Sequence, residues 1–285
     1  MIPASFDYHR ANSVDDAVRL LGRFGADAKL LAGGHSLIPL LKFRLAQPTH
    51  LIDISRIRDL TGIREENDAI VIGALTTHHQ IESSQLLKSK CPVLVETAEN
   101  IGDVQVRNKG TLGGSAAHAD PASDYPAALF ALEAQFVVQG PNGRRTVSVD
   151  DFFVGMLTSV LGPDEILTHI RIPVQPSSTG ASYQKFAQKA SGFAICGVAA
   201  LITRSNGKCT RARIGITGVT EKAYRATAVE AAIEGRTLNS EEIAAASAKA
   251  AENAEALGDI HASSEYRKDL ARIYTRRAIE AAIAR

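Results

Sequence analysis

Two double-glycine turns in the first half of the chain carry the clearest chemical signal in the sequence. They are Ala32–Ser36, which reads AGGHS, and Thr111–Ser115, which reads TLGGS. Glycine lets the backbone adopt positive φ and approach a ligand closely, and successive N–H groups beside a hydroxyl residue bind anions. Either turn alone is more often only a tight turn. As a pair they predict two loops that converge on the pyrophosphate of a dinucleotide.

Neither turn has the spacing of the two best-known phosphate-binding motifs. Gly-x-Gly-x-x-Gly and the Walker A sequence are both absent from these positions. The predicted site therefore belongs to a different nucleotide-binding architecture.

The elements around the first turn form a short parallel unit. Ser13 caps a helix over Val14–Phe24, a strand over Ala28–Ala32 enters the turn, a helix over Leu37–Leu45 leaves it, and His50–Ile54 is a second strand. This order places the turn between the carboxyl end of a strand and the start of a helix, where anions bind.

The rest of the chain has a different texture and divides once. Strands are predicted around residues 63, 69–72 and 135–138, with helices over 77–81 and 93–101, and Pro173–Gly180 is the best linker. Three antiparallel strands follow at 181–189, 194–203 and 211–219, and then helical sequence from 223 to 285. We predict an α+β protein with one domain over residues 1–176 (a small lobe to about 56, a larger one from 57) and a second over 177–285.

Composition excludes several classes of protein. The net charge of +1 favours no nucleic-acid partner, and no apolar run is long enough for an integral membrane protein. The N-terminus lacks a signal-peptide pattern, which predicts a cytoplasmic protein. Cys91, Cys196 and Cys209 are too widely scattered to ligate zinc or an iron–sulfur cluster. We expect no metal site, and a redox centre held by this chain would be organic.

Several titratable residues near the turns have two interpretations. Asp120 and Asp124 could accept hydrogen bonds from a ribose or a flavin ring, or Asp120 and Ser123 could simply cap local turns and a helix. Lys185 stands alone on a predicted strand, where a solvated edge charge is the commoner role. The histidines at 35, 78, 79 and 118 show no catalytic or metal-ligating order, so no residue is predicted to be catalytic.

The whole chain resembles a family of flavoproteins. The N-terminal MIP and SFDYH sequences, Leu31–Pro39, the second glycine turn and Tyr183–Lys185 together resemble the medium, FAD-binding subunit of aerobic molybdenum carbon monoxide dehydrogenase. That subunit is part of the wider xanthine dehydrogenase and molybdenum hydroxylase flavoprotein family. The resemblance implies a two-lobed FAD-binding domain of the PCMH/VAO type. It also implies a C-terminal domain with a three-stranded antiparallel sheet and a helix bundle.

The resemblance also implies which residues contact FAD. Most of them hold the pyrophosphate and neighbouring parts of the cofactor, Asp124 hydrogen-bonds it, and Leu161, Lys185 and Phe193 lie near the isoalloxazine. The implied cofactor-binding residues are Ala32, Gly33, Gly34, His35, Ser36, Leu37, Ile101, Thr111, Leu112, Gly113, Gly114, Ser115, Asp124, Leu161, Lys185 and Phe193.

The activity implied is that of an electron outlet. In this family a large molybdopterin subunit oxidises the substrate, and the [2Fe–2S] clusters of a small subunit pass electrons to FAD. An external acceptor such as a quinone then receives them. The resemblance implies a dimer of heterotrimers that is cytoplasmic or held at the inner face of the membrane. Two alternatives stay open: a related molybdenum hydroxylase acting on an N-heterocycle, a purine or an aromatic acyl-CoA, and a stand-alone flavin-binding protein.

Overall fold

The computed structural model describes residues 1–285, and its first layer is a small parallel sheet. The sheet has the order β1-β3-β2, from β1 (Asp7–Arg10), β2 (Ala28–Leu31) and β3 (His50–Asp53). The helix α1 (Val14–Phe24) begins at Ser13, whose hydroxyl accepts from the Asp16 N–H, as predicted. The helix α2 (Leu37–Lys42) ends earlier than predicted because the chain reaches positive φ at Arg44.

The larger lobe is built on a five-stranded antiparallel sheet of order β4-β5-β10-β6-β7. Its strands are β4 (Ile63–Glu66), β5 (Ala69–Gly73), β6 (Gln135–Gly140), β7 (Gly143–Ser148) and β10 (Ile166–Pro173), and a separate hairpin consists of β8 (Phe153–Gly155) and β9 (Thr158–Ser159). Its helices are α3 (His78–Ser83), α4 (Gln85–Lys90), α5 (Pro92–Glu99), α6 (Val104–Lys109), α7 (Leu112–His118), α8 (Tyr125–Ala131) and α9 (Val149–Phe152).

The last part of the chain pairs an antiparallel sheet with three helices. The sheet consists of β11 (Thr179–Ala187), β12 (Ala194–Ser205), β13 (Lys208–Thr217) and β14 (Tyr224–Arg225). The helices are α10 (Thr227–Ile233), α11 (Ser240–Ser247) and α12 (Ser264–Ile283). The fourth strand was not predicted. It forms where the chain turns back beside Gly215 and Ile216 before α10 begins.

The C-terminal sheet is buried on both faces. On β12, Val198, Ala200 and Ile202 pack under the C-terminal helices, whereas Ala199 and Leu201 face the helices of the larger lobe. Side chains alternate across a strand, so this one element joins two cores. The α+β class and the order of the two parts are as the sequence predicts.

No helix of the chain combines the length and the apolar character that a membrane crossing requires.

Candidate cofactor site

The two glycine turns lie against each other. A Cβ built on Gly33 would stand 2.0 Å from the carbonyl oxygen of Lys109, one on Gly114 would lie 3.9 Å from the Cβ of Ala32, and Gly34 has φ +76°. At position 33 the first turn therefore lies so close to the backbone preceding the second turn that only glycine fits. The predicted convergence of the two loops is present.

The first turn offers a run of free backbone donors. None of the N–H groups from Ala32 to Leu37 has a hydrogen-bond acceptor within the chain. The imidazole of His35 makes one hydrogen bond within the chain, with the Gly33 carbonyl oxygen at 3.2 Å, and His35 and Ser36 are exposed. Successive free N–H groups with a positive-φ glycine among them are suited to binding an anion.

The second turn uses its donors internally. The Gly114 N–H donates to Thr111 Oγ1, at 3.1 Å, and the Gly113 N–H donates to the Ala74 carbonyl, at 2.9 Å. A Cβ on Gly113 would lie 2.4 Å from that of Ala74, so this glycine allows α7 to pack on the sheet. Leu112 is fully buried. The two turns therefore have different roles. The first presents free N–H donors, and the second packs the start of α7 against Ala74 just after β5.

A buried charge cluster lies beyond the second turn. Lys185 Nζ is 2.8 Å from Asp124 Oδ1, and the two side chains are only 3% and 5% exposed. The same ammonium donates to the Asn100 carbonyl oxygen, at 2.8 Å, and the Tyr183 hydroxyl donates to Asp124 Oδ1, at 2.5 Å. Ser115 Oγ lies 2.6 Å from Ser123 Oγ, which links the cluster to the second turn.

The C-terminal sheet holds this cluster in place. Lys185, Gly197 and Thr217 form one row across β11, β12 and β13. Thr217 Oγ1 lies 2.9 Å and 2.8 Å from the carbonyl oxygens of Pro121 and Ser123, in the loop that leads to Asp124. The loop that carries the carboxylate is thus fixed by strands from the other part of the chain.

Burial changes the acidity of two groups in this region. Burial raises the pKa of Asp124 to about 6, although Lys185 and the Tyr183 hydroxyl oppose it. Burial also lowers the pKa of His78 to about 4, assisted by the nearby His35 and Arg107. His78 Nδ1 lies 3.2 Å from the Tyr125 hydroxyl, so the neutral imidazole is held next to the residue that follows Asp124.

The other predicted residues lie less closely together. Ile101, next to Asn100, is half-buried against the large core, and Gly192 reaches within 3.7 Å of the Cα of Gly102 if given a Cβ. Phe193 follows Gly192 and is 49% exposed. Leu161 packs on the large core after the β8–β9 hairpin and makes no hydrogen bond to the cluster.

Two contributors were not among the predicted site residues. Tyr183 and Thr217 bind the aspartate and its loop directly. Tyr183 lies two residues before Lys185 on a strand, so period-two alternation could have placed both on one face. No such signal exists for Thr217, because its role depends on hydrogen bonds to a loop almost one hundred positions earlier in the chain. Asp120 has the local role considered for it, since its Oδ1 accepts from the Ala122 N–H.

Metal-binding chemistry has no cluster of donors here. The chain contains no group of three or more His, Cys, Asp or Glu side chains placed to hold an ion. Its cysteines at 91, 196 and 209 are buried and unpaired.

Comparison with known proteins defines the class. A family model described as the FAD binding domain in molybdopterin dehydrogenase matches residues 4–175. A second, the CO dehydrogenase flavoprotein C-terminal domain, matches residues 181–282. The chain belongs to the family of FAD-binding subunits of molybdopterin dehydrogenases.

Similarity to individual proteins extends over the full length. The medium chain of carbon monoxide dehydrogenase from Hydrogenophaga pseudoflava is 43% identical over 285 residues, which cover 100% of this chain and 99% of that one. A subunit of the 6-hydroxypseudooxynicotine dehydrogenase complex from Paenarthrobacter nicotinovorans is 38% identical, covering 100% and 97%. A solved carbon monoxide dehydrogenase from H. pseudoflava that lacks the Mo-pyranopterin moiety of its cofactor superposes with a TM-score of 0.97 at 45% identity. It covers 100% of this chain and 99% of that one. Within the family, the chain is thus similar over its whole length to the medium chain of carbon monoxide dehydrogenase.

The residues present fit FAD. The donors of Ala32–Leu37 match a pyrophosphate, and the absent side chain of Gly33 lets this turn pack directly on the Lys109 carbonyl beside the second turn. The buried pair of Asp124 and Lys185 adds one carboxylate and one cation close to the second turn, to which Ser123 and Ser115 link it.

Proposed function

We propose that this chain is the FAD-carrying electron outlet of a molybdenum-dependent carbon monoxide dehydrogenase. The observation that carries the proposal is the run of unpaired N–H groups from Ala32 to Leu37, held against the second glycine turn. Bound there, FAD supplies chemistry that no side chain of this protein has: it accepts electrons singly and releases them in pairs.

The residues of the chain bind, orient and neutralise. Ala32–Leu37 would hold the pyrophosphate, and Leu112–Ser115 would pack against that loop and support it. Asp124 and Lys185 would face the ring, where the ammonium offsets the negative charge that reduction adds. Ile101, Leu161 and Phe193 would provide apolar contacts. No side chain has to act as a general base on the substrate of the complex.

We also propose that the chain divides into two domains, at residues 1–176 and 177–285. A boundary near residue 176 falls between the two ranges that the family models match, 4–175 and 181–282. Within the first domain, the parallel sheet and the five-stranded sheet are separate, which supports a change of lobe near residue 56.

Carbon monoxide is the proposed substrate of the complex because the 43% identical relative is named for it and matches end to end. Oxidation would take place on a large molybdopterin subunit. Electrons would reach this chain through the [2Fe–2S] clusters of a small subunit, in a dimer of heterotrimers that reduces a quinone or another acceptor. We place the complex in the cytoplasm, in keeping with three free cysteines.

The second candidate is a hydroxylase of the same family with an organic substrate. It is favoured by the relative of 38% identity, whose name refers to 6-hydroxypseudooxynicotine. The purified complex decides between the two: carbon monoxide should support dye reduction, and an N-heterocycle should not. The reverse result would transfer the proposal to the second candidate.

Binding of FAD is tested with Gly33→Ala in the full chain. The added methyl group would meet the Lys109 carbonyl oxygen at 2.0 Å, so the first loop must move away from the second. Overpacking of this kind costs about 1–3 kcal/mol, which corresponds to roughly 5- to 150-fold weaker FAD binding. Flavin absorbance after equilibrium dialysis measures it.

The matched control is Gly22→Ala, on the exposed face of α1, where a Cβ meets nothing within 4 Å. It should bind FAD like the unchanged chain. A chain that takes up no FAD, or a Gly33→Ala variant that binds it normally, would overturn the proposed site.

A further inference from the structure

The hydroxyl of Tyr183 is committed to one carboxylate. It donates to Asp124 Oδ1 at 2.5 Å, and the tyrosine is 2% exposed. Burial and the adjacent carboxylate raise the pKa of Tyr183 well above its usual value. The hydroxyl therefore keeps its proton at neutral pH and remains a donor.

The sheet is shaped to admit this hydroxyl. A Cβ built on Gly197 would stand 2.3 Å from Tyr183 Oη, so the oxygen occupies the space that a side chain on β12 would take. Gly197 is also the direct cross-strand partner of Lys185. Gly197 thus leaves room for the Tyr183 hydroxyl and lies beside Lys185, and both of these groups bind the Asp124 carboxylate.

The other charged groups around the pair have partners elsewhere. Glu96 on α5 accepts from the Tyr183 N–H, at 3.0 Å, and pairs with Arg285. Among the neighbouring helices, Tyr125 on α8 is hydrogen-bonded to His78 on α3, and Glu82 on α3 forms an ion pair with Arg107. Cys196 on β12 is buried, which raises its pKa to about 12 and keeps the thiol neutral. Only Lys185 and Tyr183 stabilise the Asp124 carboxylate.

We propose that Tyr183 is a positioning residue that holds Asp124 ionised against Lys185, and thereby sets the charge presented to the cofactor. This inference rests on the proposed function only where the cofactor is concerned. With the hydroxyl present, the buried pair is neutral as a whole. Without it, Asp124 takes up a proton at a higher pH and leaves the Lys185 ammonium uncompensated.

The first experiment needs no cofactor. In the FAD-free full chain, the titration of Asp124 is followed by ¹³C NMR of its carboxyl carbon, assigned with Asp124→Asn. A hydrogen bond to a charged group contributes enough that Tyr183→Phe should raise the midpoint by about one pH unit or more. An unchanged midpoint overturns the proposal.

The second experiment uses the FAD-loaded chain and measures the midpoint potential of the flavin against pH. Near neutral pH, Tyr183→Phe should be easier to reduce than the unchanged chain, because a net positive charge then faces the site. The difference should vanish above the new Asp124 midpoint. A potential that does not move while the carboxyl titration does would overturn the link to the cofactor.

Controls separate a specific effect from general damage. Tyr224→Phe also removes a buried hydroxyl, one that donates to the Ala250 carbonyl oxygen at 3.0 Å, and should change neither measurement. Gly197→Ala displaces the Tyr183 hydroxyl without removing it and should shift both in the same direction as Tyr183→Phe. If no FAD binds to the unchanged chain, the proposed function fails, whereas the NMR titration still decides the role of Tyr183.

Discussion

Asp124 and His78 are buried groups whose altered pKa values act on stability in opposite directions. Asp124 has its pKa raised from 3.8 to about 6, so the folded chain binds an extra proton as the pH falls through that interval and gains stability. His78 has its pKa lowered from 6.5 to about 4, so the unfolded chain binds the extra proton and the folded state loses stability over a similar interval.

The two effects should nearly cancel between pH 6 and pH 4. Each amounts to about 3 kcal/mol, because a tenfold change in an acid dissociation constant on folding corresponds to about 1.4 kcal/mol. Relative to the unchanged chain, Asp124→Asn should therefore lose stability on acidification, and His78→Asn should gain it. Urea unfolding at a series of pH values measures both slopes.

His79→Asn is the control for loss of an imidazole, since His79 lies beside His78 on the same helix but is half-exposed. It should follow the pH dependence of the unchanged chain. Parallel curves for all four proteins would show that neither buried group is linked to folding in this way.

At the scale of elements, the helix α12 fixes the site from a distance. The guanidinium of Arg267 is buried and donates to the carbonyl oxygens of Ile195, at 2.9 Å, and Gly218. Next to these, the Ala194 N–H donates to the Ala122 carbonyl, and the Gly218 N–H donates to that of Pro121. The arginine therefore ties one end of the sheet to the loop that carries Asp124.

Arg267→Met should destabilise the chain by about 3 kcal/mol, since it leaves two buried carbonyl groups and Asp259 without their charged donor. Lysine should not rescue it, because an ammonium cannot span all three acceptors as a planar guanidinium does. The free energy of unfolding in urea measures the loss.

The comparison variant is Arg272→Met, on the exposed part of the same helix, where the ion pair with Asp269 is solvated. It should change stability by about 0.5 kcal/mol or less. Equal losses from both arginines would refute the anchoring role of Arg267.

Sequence patterns predicted the elements better than their assembly. The helix cap at Ser13 and three of the four strands of the C-terminal sheet follow from local residue types. The pairing of β5 with β10 joins residues almost one hundred positions apart, which no local pattern encodes. Lys185 could equally have been a solvated edge charge, and only the fold brings Asp124 to it.

At the scale of the whole molecule, one core runs through the boundary between the two parts. Tyr183, Ala199 and Leu201 pack in the same cluster as Ile72 and Phe136 of the larger lobe. The chain should therefore unfold in a single transition in differential scanning calorimetry, because neither part can expose that shared face without cost.

Gly215→Ala tests this coupling, since its methyl group would lie 2.0 Å from the Ala127 carbonyl oxygen and separate α8 from β13. The transition should fall by roughly 3–10 °C and broaden or split. Gly155→Ala, where a Cβ meets nothing within 4 Å, should leave it in place. Two resolved transitions in the unchanged chain would contradict the prediction.

The hydrogen bonds of Thr217 to the loop before Asp124 limit how this chain can be joined to parts of a related chain. The carboxylate proposed to face the cofactor is encoded in the first half of the gene, whereas the hydroxyl that fixes its loop is encoded in the second. In a chimera that joins the first half of one family member to the second half of another, the loop that carries Asp124 would keep these contacts only where the second half supplies a hydroxyl at position 217. Exchange of whole chains carries the loop and its hydroxyl together.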